Sequence, residues 1–327
     1  MQALIGNSGV APGSRISFRR GDVFTTNAYY RIRNAHDVIV SAYGSGNRPI
    51  VRYNGGALGV YVEGMIGLEQ NNHNITFIDL SYDGSGTVPL IERYSGVGAI
   101  ADTNILLLRV AFNSSNSNII TSESSLNPPT PFDGFFLVSS DLTFAGLTSI
   151  YGYFNRLVIL NSAIEHAPNN HNLYLAHVGK GVLAGNRIGH PRAGPPANTW
   201  DLTRHCLRIS GTFANTNGIT QDIVVSNNTF DGSGTYGGIT VSCVQFGSND
   251  PISGSGGVPQ VMRNVLFENN YIKNSRRPID INDGYNNLTV RNNIIENIAA
   301  WAAGQDQEAH VDIRRFFDHD SARVIRI

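Results

Sequence analysis

A short phrase recurs along this chain: apolar residues in alternation, then Asn or Ser, one more apolar residue, then Asn, Asp or Gly. It reads NITFIDLSYDG (74–84), NILLLRVAFNS (104–114), RLVILNSAIEH (156–166), DIVVSNNTFDG (222–232), NVLFENNYIKN (264–274) and NLTVRNNIIEN (287–297), with a shorter copy, GVLAGNRIGH, at 181–190. Between copies sits a second short alternation: GVYVEG (59–64), GFFLVSS (134–140), NLYLAHV (172–178), CLRISG (206–211), GITVSCV (238–244), PIDIND (278–283) and HVDIRRF (310–316). Period-two alternation means strands with one buried face. A unit of roughly 25 to 40 residues repeated along a chain points to a solenoid. Each unit is too short to close a barrel. A β-sandwich is the competing reading, but hairpin dipeptides are scarce and the N-N-x-I phrase keeps its place in the repeat. The expectation is therefore an all-β, single-domain right-handed parallel β-helix over residues 1–327. It would have about eight to nine coils about 4.8 Å apart, its recurrent Asn bonding their equivalents above and below.

Composition agrees and narrows the function. The chain is Gly-rich (35) and visibly Asn-rich, which suits short strands with tight turns better than helices. Charged residues are 15% and the formal net charge is −1, so no nucleic-acid partner is expected. No apolar run is long enough to span a membrane. The opening MQALIGNSGV has neither a basic n-region nor an apolar h-region, so a signal peptide is expected to be absent or removed. Two cysteines are too few for a disulfide scaffold. The alternation turns Cys206 outward and Cys243 inward, so their Cβ vectors should diverge and no disulfide is expected between them.

The start, APGSRISFRRGDVF followed by DVIVSAYGSGNRPIV, resembles the opening segment of secreted right-handed β-helix proteins related to pectate lyases. Later coils resemble the repeat regions of polysaccharide lyases, carbohydrate epimerases and hydrolases of that superfamily. The resemblance spans nearly the whole chain and implies a polysaccharide substrate and a secreted, periplasmic or cell-surface location. It does not name a reaction. The chain has no NTDG, QDTL or YG-x-DPHD phrase, and FDHD at 317–320 lacks the context of the last.

A solenoid works through columns of outward side chains on successive coils. In the second set of strands Leu173/Leu175, Leu207/Ile209, Ile239/Val241, Ile279/Ile281 and Val311/Ile313 should point inward. One outward column then reads Tyr61, Phe136, Tyr174, Arg208, Thr240, Asp280, Asp312, and the next reads Glu63, Val138, Ala176, Ser210, Ser242, Asn282, Arg314. A passage from aromatics through arginine to aspartates suits a sugar groove, because rings stack on pyranose faces and guanidinium forks match uronate carboxylates.

Four of nine histidines lie in HAPNNHNLYLAHVGKGVLAGNRIGH (166–190), with Lys180, one of two lysines against 22 arginines. His171 and His205 should stack near one end of the groove, with His177 and Lys180 at the other. His166 and His190 fall on a different corner, as turn residues. The histidine spacing matches no zinc pattern. Asp83, Asp231 and Asp283 sit in Asp-Gly turns that could offer oxygens to calcium, but such turns need these residues for backbone geometry anyway. No metal or cofactor is expected.

These residues point first to a polysaccharide lyase acting on a uronic-acid-containing glycan. Arg208 would hold the carboxylate, with Lys180, His177 or His205 as base and Tyr174 binding sugar or passing a proton. Tyr61, Phe136, Asp280, Asn282, Asp312 and Arg314 would line the groove. The alternatives are a glycoside hydrolase using Asp280 and Asp312, whose carboxyls would stand roughly 5 Å apart, an epimerase sharing the proton-abstraction step, and a non-catalytic carbohydrate-binding or structural β-helix of adhesin or tail-fibre type. The terminal SARVIRI reads as an uncapped strand whose edge more chain, a further domain or an oligomer contact would cover.

Overall fold

The computed structural model describes residues 10–27, 30–55, 65–85, 88–93, 101–115, 118–122, 131–167, 170–191, 205–210, 219–234, 240–247, 262–281, 285–298, 311–313 and 325–326. Among them no helix occurs, and 28 strands join in one continuous hydrogen-bonded set. Every pairing joins parallel strands three elements apart or their fused equivalents, for example Thr103–Leu108 between His73–Ile78 and Phe132–Val138. The chain winds as a parallel β-helix, and parallel crossovers of this kind are right-handed. Tyr61, Asn282 and Arg314 lie outside the described residues.

Each coil contributes to three faces. Sheet A holds the first half of each phrase, as in His73–Ile78, Thr103–Leu108, Thr220–Ser226 and Met262–Glu268. Sheet B holds the second half, as in Ala111–Asn113, Asp141–Thr143 and Thr229–Asp231. Sheet C holds Ile91–Arg93, Ile120–Thr121, Leu207–Ile209, Thr240–Phe246 and Val311–Ile313. In Ile150–Leu160 and Leu173–Ala184 one long strand runs through sheet C and on into sheet A. Ten successive pairings stack eleven described strands in sheet A, from Arg15–Arg19 to Ile325–Arg326. The depth exceeds the expected eight to nine coils because the first two and the last of these strands carry no Asn phrase, and Phe132–Val138, read from sequence in the second set, belongs to this sheet.

The doubled Asn of the phrase divides its labour at the corner between sheets A and B. The first residue takes a left-handed turn: Asp79, Arg109, Ser139, Asn161, Asn227, Asn269 and Asn292 have φ between 48° and 58°. Asn, Asp and Ser tolerate this region. The second residue points inward and bonds its equivalent one coil on. Nδ2 of Asn186 donates to Oδ1 of Asn228 (2.9 Å), that of Asn228 to Asn270 (3.0 Å) and that of Asn270 to Asn293 (3.0 Å). The same oxygens accept the backbone N–H groups of Asn186, Asn228 and Asn270. Toward the other end Ser162 and Ser140 take over, each hydroxyl or amide accepting the N–H of the coil before. These turns would otherwise bury unsatisfied N–H groups at 1–3 kcal/mol each, roughly.

Between the sheets runs one apolar core, with Phe132, Phe135 and Phe154 in mutual contact at centroid separations of 5.4 to 6.0 Å. Phe136 belongs elsewhere than expected. GFFLVSS is a sheet A strand, and Phe136 pairs with Leu106 and Val158 on the outer side of that sheet. It therefore stands a corner away from Tyr174.

The ladder makes a direct prediction. Asn228→Ala strands its neighbours' buried groups and should cost about 3 kcal/mol, while Asn264→Gly, on the exposed Asn264–Asp222 rung, should cost under about 1 kcal/mol. Denaturant unfolding of the two variants checks this; equal costs would contradict the division.

Candidate functional site

The outer column of sheet C follows from its register. Ile120–Thr121 pairs with Ile150 and Tyr151, Tyr151 with Tyr174, Tyr174 with Arg208, Arg208 with Gln245, Gln245 with Asp280, and Asp280 with Asp312. The column thus reads Thr121, Tyr151, Tyr174, Arg208, Gln245, Asp280, Asp312. Three members, Thr121, Tyr151 and Gln245, differ from expectation. Gln245 replaces Thr240, a slip of five residues, because the core of this strand is Val244 and Phe246. Tyr151 had no place because IYGYF was not read as a strand. The match of Cys206-Leu207-Arg208-Ile209 with Cys243-Val244-Gln245-Phe246 is the signal that could have set the register.

Tyr174 is the hub. Its ring lies 5.2 Å from that of Tyr151 and 5.3 Å, edge-on, from that of His171. The Arg208 guanidinium carbon sits 4.7 Å from its centroid. Leu173, Leu175, Leu207 and Ile209 anchor the two strands in the core, so Tyr174 and Arg208 must face out. Among the described residues no carboxylate pairs with Arg208, and its Nε is buried without a hydrogen-bond acceptor. Stacking on Tyr174 offsets part of the cost of that charge.

Below the hub, His171 and His205 stack at 5.0 Å with planes 6° apart. The backbone N–H of His205 donates to Nδ1 of His171 (2.9 Å). Nδ1 is therefore an acceptor, and neutral His171 carries its proton on Nε2. Both rings are buried, as is His177.

A bulge sets His177. Gly152 pairs with Leu175 and Tyr153 with His177, so Ala176 is the extra residue. Gly152 has φ +143°, and a Cβ there would run into the Ser122 side chain and backbone, so only glycine fits. The bulge returns Val178 to the core and leaves His177 buried, its Nδ1 without a partner. Burial pushes its pKa down to about 4.

Lys180 lies past the corner, exposed on sheet A beside Arg156 and not in the Tyr174 column. Asp280 is in the column but only 3% exposed, with Gln245 Nε2 donating to its Oδ2 (3.1 Å). The expectation that it shares an exposed face with Arg208 is corrected: it forms the floor of that end. Asp312 is described by its backbone register alone. Tyr61, Asn282 and Arg314 were placed in these columns from sequence and are not among the described residues.

On the far corner His166 stacks between Phe144 (4.8 Å) and His190 (4.7 Å). All three have positive φ, as turn residues, and His190 Nδ1 also lies within hydrogen-bond distance of Ser233 Oγ (3.2 Å). The carboxylates once considered for calcium have internal partners: Asp83 accepts from Arg52 and Ser85, and Asp231 from Lys273, Ser233 and Asn274. Asp283 is outside the described residues. Among the described residues no three His, Cys, Asp or Glu side chains converge as metal ligands would, and no helix is long and apolar enough to cross a membrane.

No protein-family model matches the chain, and no curated protein does. Among solved structures it is similar to the mannuronan C-5 epimerase AlgE6 A-module of Azotobacter vinelandii, at 15% identity and TM-score 0.44, covering 94% of this chain and 92% of that one. The AlgE4 A-module of the same organism gives 14% and 0.40, over 95% and 91%. A GH136 lacto-N-biosidase from Eubacterium ramulus gives 12% and 0.41, over 88% of this chain and 62% of that one. Likeness at this distance is one of winding, and residue roles do not transfer across it.

His177 gives a pH signature. The unfolded chain takes up a proton there near pH 6.5, the folded chain only near 4. Acidification through that window favours the unfolded state, so stability falls from about pH 6.5 to about pH 4 and the loss is complete below it, roughly 3 kcal/mol in all. His177→Gln should lack this part of the slope in denaturant titrations at several pH values; an unchanged slope would show His177 to be solvated.

Proposed function

We propose that the outer face of sheet C binds a uronic-acid-containing glycan and that the protein is a carbohydrate-active enzyme cleaving it by β-elimination. The observation that carries this reading is Arg208: a permanent charge laid on a tyrosine ring, facing out, with no carboxylate of its own among the described residues. A uronate carboxylate supplies that partner in bidentate geometry. Tyr151 and Tyr174 on adjacent coils offer ring faces to successive pyranoses.

In this chemistry the carboxylate held by Arg208 draws electron density from the adjacent C–H. A base removes that proton, the electron pair moves into an enediolate, and collapse expels the glycosidic oxygen from the next carbon, leaving a C=C bond. Of the three expected bases, His177 is neutral at pH 7, and since burial disfavours its protonated form, it would depend on the negative charge of a bound uronate to accept a proton. His205 stands behind His171, and Lys180 is across the corner. In this reading the Tyr174 hydroxyl protonates the leaving oxygen. The reading needs no metal or cofactor. Since the substrate is a polymer, it also places the protein outside the cell or in the periplasm.

A hydrolase remains the second reading because Asp280 and Asp312 occupy the same rung position on adjacent coils. Against it, the Asp280 carboxyl is buried and accepts from Gln245.

A panel of polyuronates and neutral glycans separates the readings. Unsaturated products from polyuronates alone are expected. Reducing ends without unsaturation indicate hydrolysis, and binding without products indicates a lectin-like face. Arg208→Lys keeps the charge but loses the fork, and should lower kcat/KM on the polyuronate about 30- to 1000-fold, the equivalent of about 2–4 kcal/mol. His166→Ala and His190→Ala, on the far corner, should leave it unchanged. The reverse pattern would put the site on the wrong face.

A further inference from the structure

Cys206 and Cys243 immediately precede Leu207 and Val244, which pair in register on adjacent sheet C strands. The expectation of diverging side chains came from the same five-residue slip that put Thr240 in the column. With the register corrected, the two residues sit side by side on successive coils. Both are fully buried, and their sulfurs are 2.7 Å apart. Adjacent strands set Cα atoms about 4.8 Å apart, inside the range of about 4.4–6.8 Å that disulfides span. The sulfurs need move well under an ångström to reach the covalent length of about 2.05 Å.

We infer that Cys206 and Cys243 are a covalent cross-linking site, joined as a disulfide when the chain folds in the presence of a small-molecule disulfide such as oxidised glutathione. One cysteine thiolate attacks a sulfur of the oxidant, forming a mixed disulfide and releasing one small thiolate. The second cysteine thiolate attacks the protein sulfur of that mixed disulfide and releases the other. The protein loses two protons and two electrons, and the oxidant becomes two thiols.

Timing follows from burial. Neither thiol is accessible once the coils have stacked, and burial raises the Cys206 thiol pKa well above its usual value. The folded, reduced protein should therefore react slowly, and the bond should form while the coils assemble. The cross-link closes a span of 37 residues, and it clamps the rung that carries Arg208 to the one that carries Gln245. It depends on nothing in the proposed reaction.

The test is refolding of the reduced full-length chain in a glutathione redox buffer, with a parallel sample kept in excess reductant. The oxidised sample should be two hydrogens lighter by intact mass. Digestion without reduction should give one cross-linked peptide pair containing Cys206 and Cys243. Its melting temperature should exceed that of the reduced sample by about 5 °C. The double variant Cys206→Ala with Cys243→Ala should melt at the same temperature in both buffers. Two free thiols after refolding, or glutathione adducts in place of the cross-link, would overturn the inference, and the mass result stands even if the variant does not fold.

Discussion

Everything in this protein depends on each coil lying in register on the next. Parallel strands give that register no local enforcement, since the partners are a full turn apart in sequence. The inward Asn supply it. Each accepts the N–H of one coil and donates to the next, so a slip of one residue would bury unpaired amides along the whole corner. Where the Asn give way to Ser140 and Ser162, the hydroxyl accepts the same N–H at less reach.

Register is also what makes a site. Tyr174 and Arg208 lie 34 residues apart along the chain and Arg208 and Gln245 37 apart, yet the ladder sets them on successive rungs. Sheet C then departs from regularity at the candidate site. The Gly152 turn and the extra Ala176 shift the parity so that a histidine, not an aliphatic residue, fills the outer rank beside Tyr153. Bulges of this kind re-aim side chains at functional faces. The buried imidazole and a guanidinium with no carboxylate partner among the described residues both cost stability. Such costs gather where function is served, and here they gather within one short stretch of two coils.

The architecture was legible in the sequence because its determinants are local and repeated: period-two alternation, Asn at the corner, Gly and Asp in the turns. The site was legible only in part. The first three residues of strand Leu173–Ala184 and strand Leu207–Ile209 each show one unambiguous alternation, so Tyr174, Arg208, His171 and His205 came out as neighbours. Thr240–Phe246 carries apolar residues at both parities, and only the pairing of Val244 and Phe246 with Leu207 and Ile209 settles the register. The wrong choice hid both Gln245 and the cysteine contact. Phe136 misled for a related reason, since a strand's sequence does not state which of three faces it occupies.

The central claim is that an acidic sugar lies along sheet C with its carboxylate on Arg208. The most direct measurement is a crystal structure of the protein with a bound oligouronate too short to be turned over. The expected result is a carboxylate bidentate to the Arg208 guanidinium, with a pyranose against Tyr174 or Tyr151. An oligosaccharide seated along sheet A or B, with the Arg208 fork empty, would contradict the assignment.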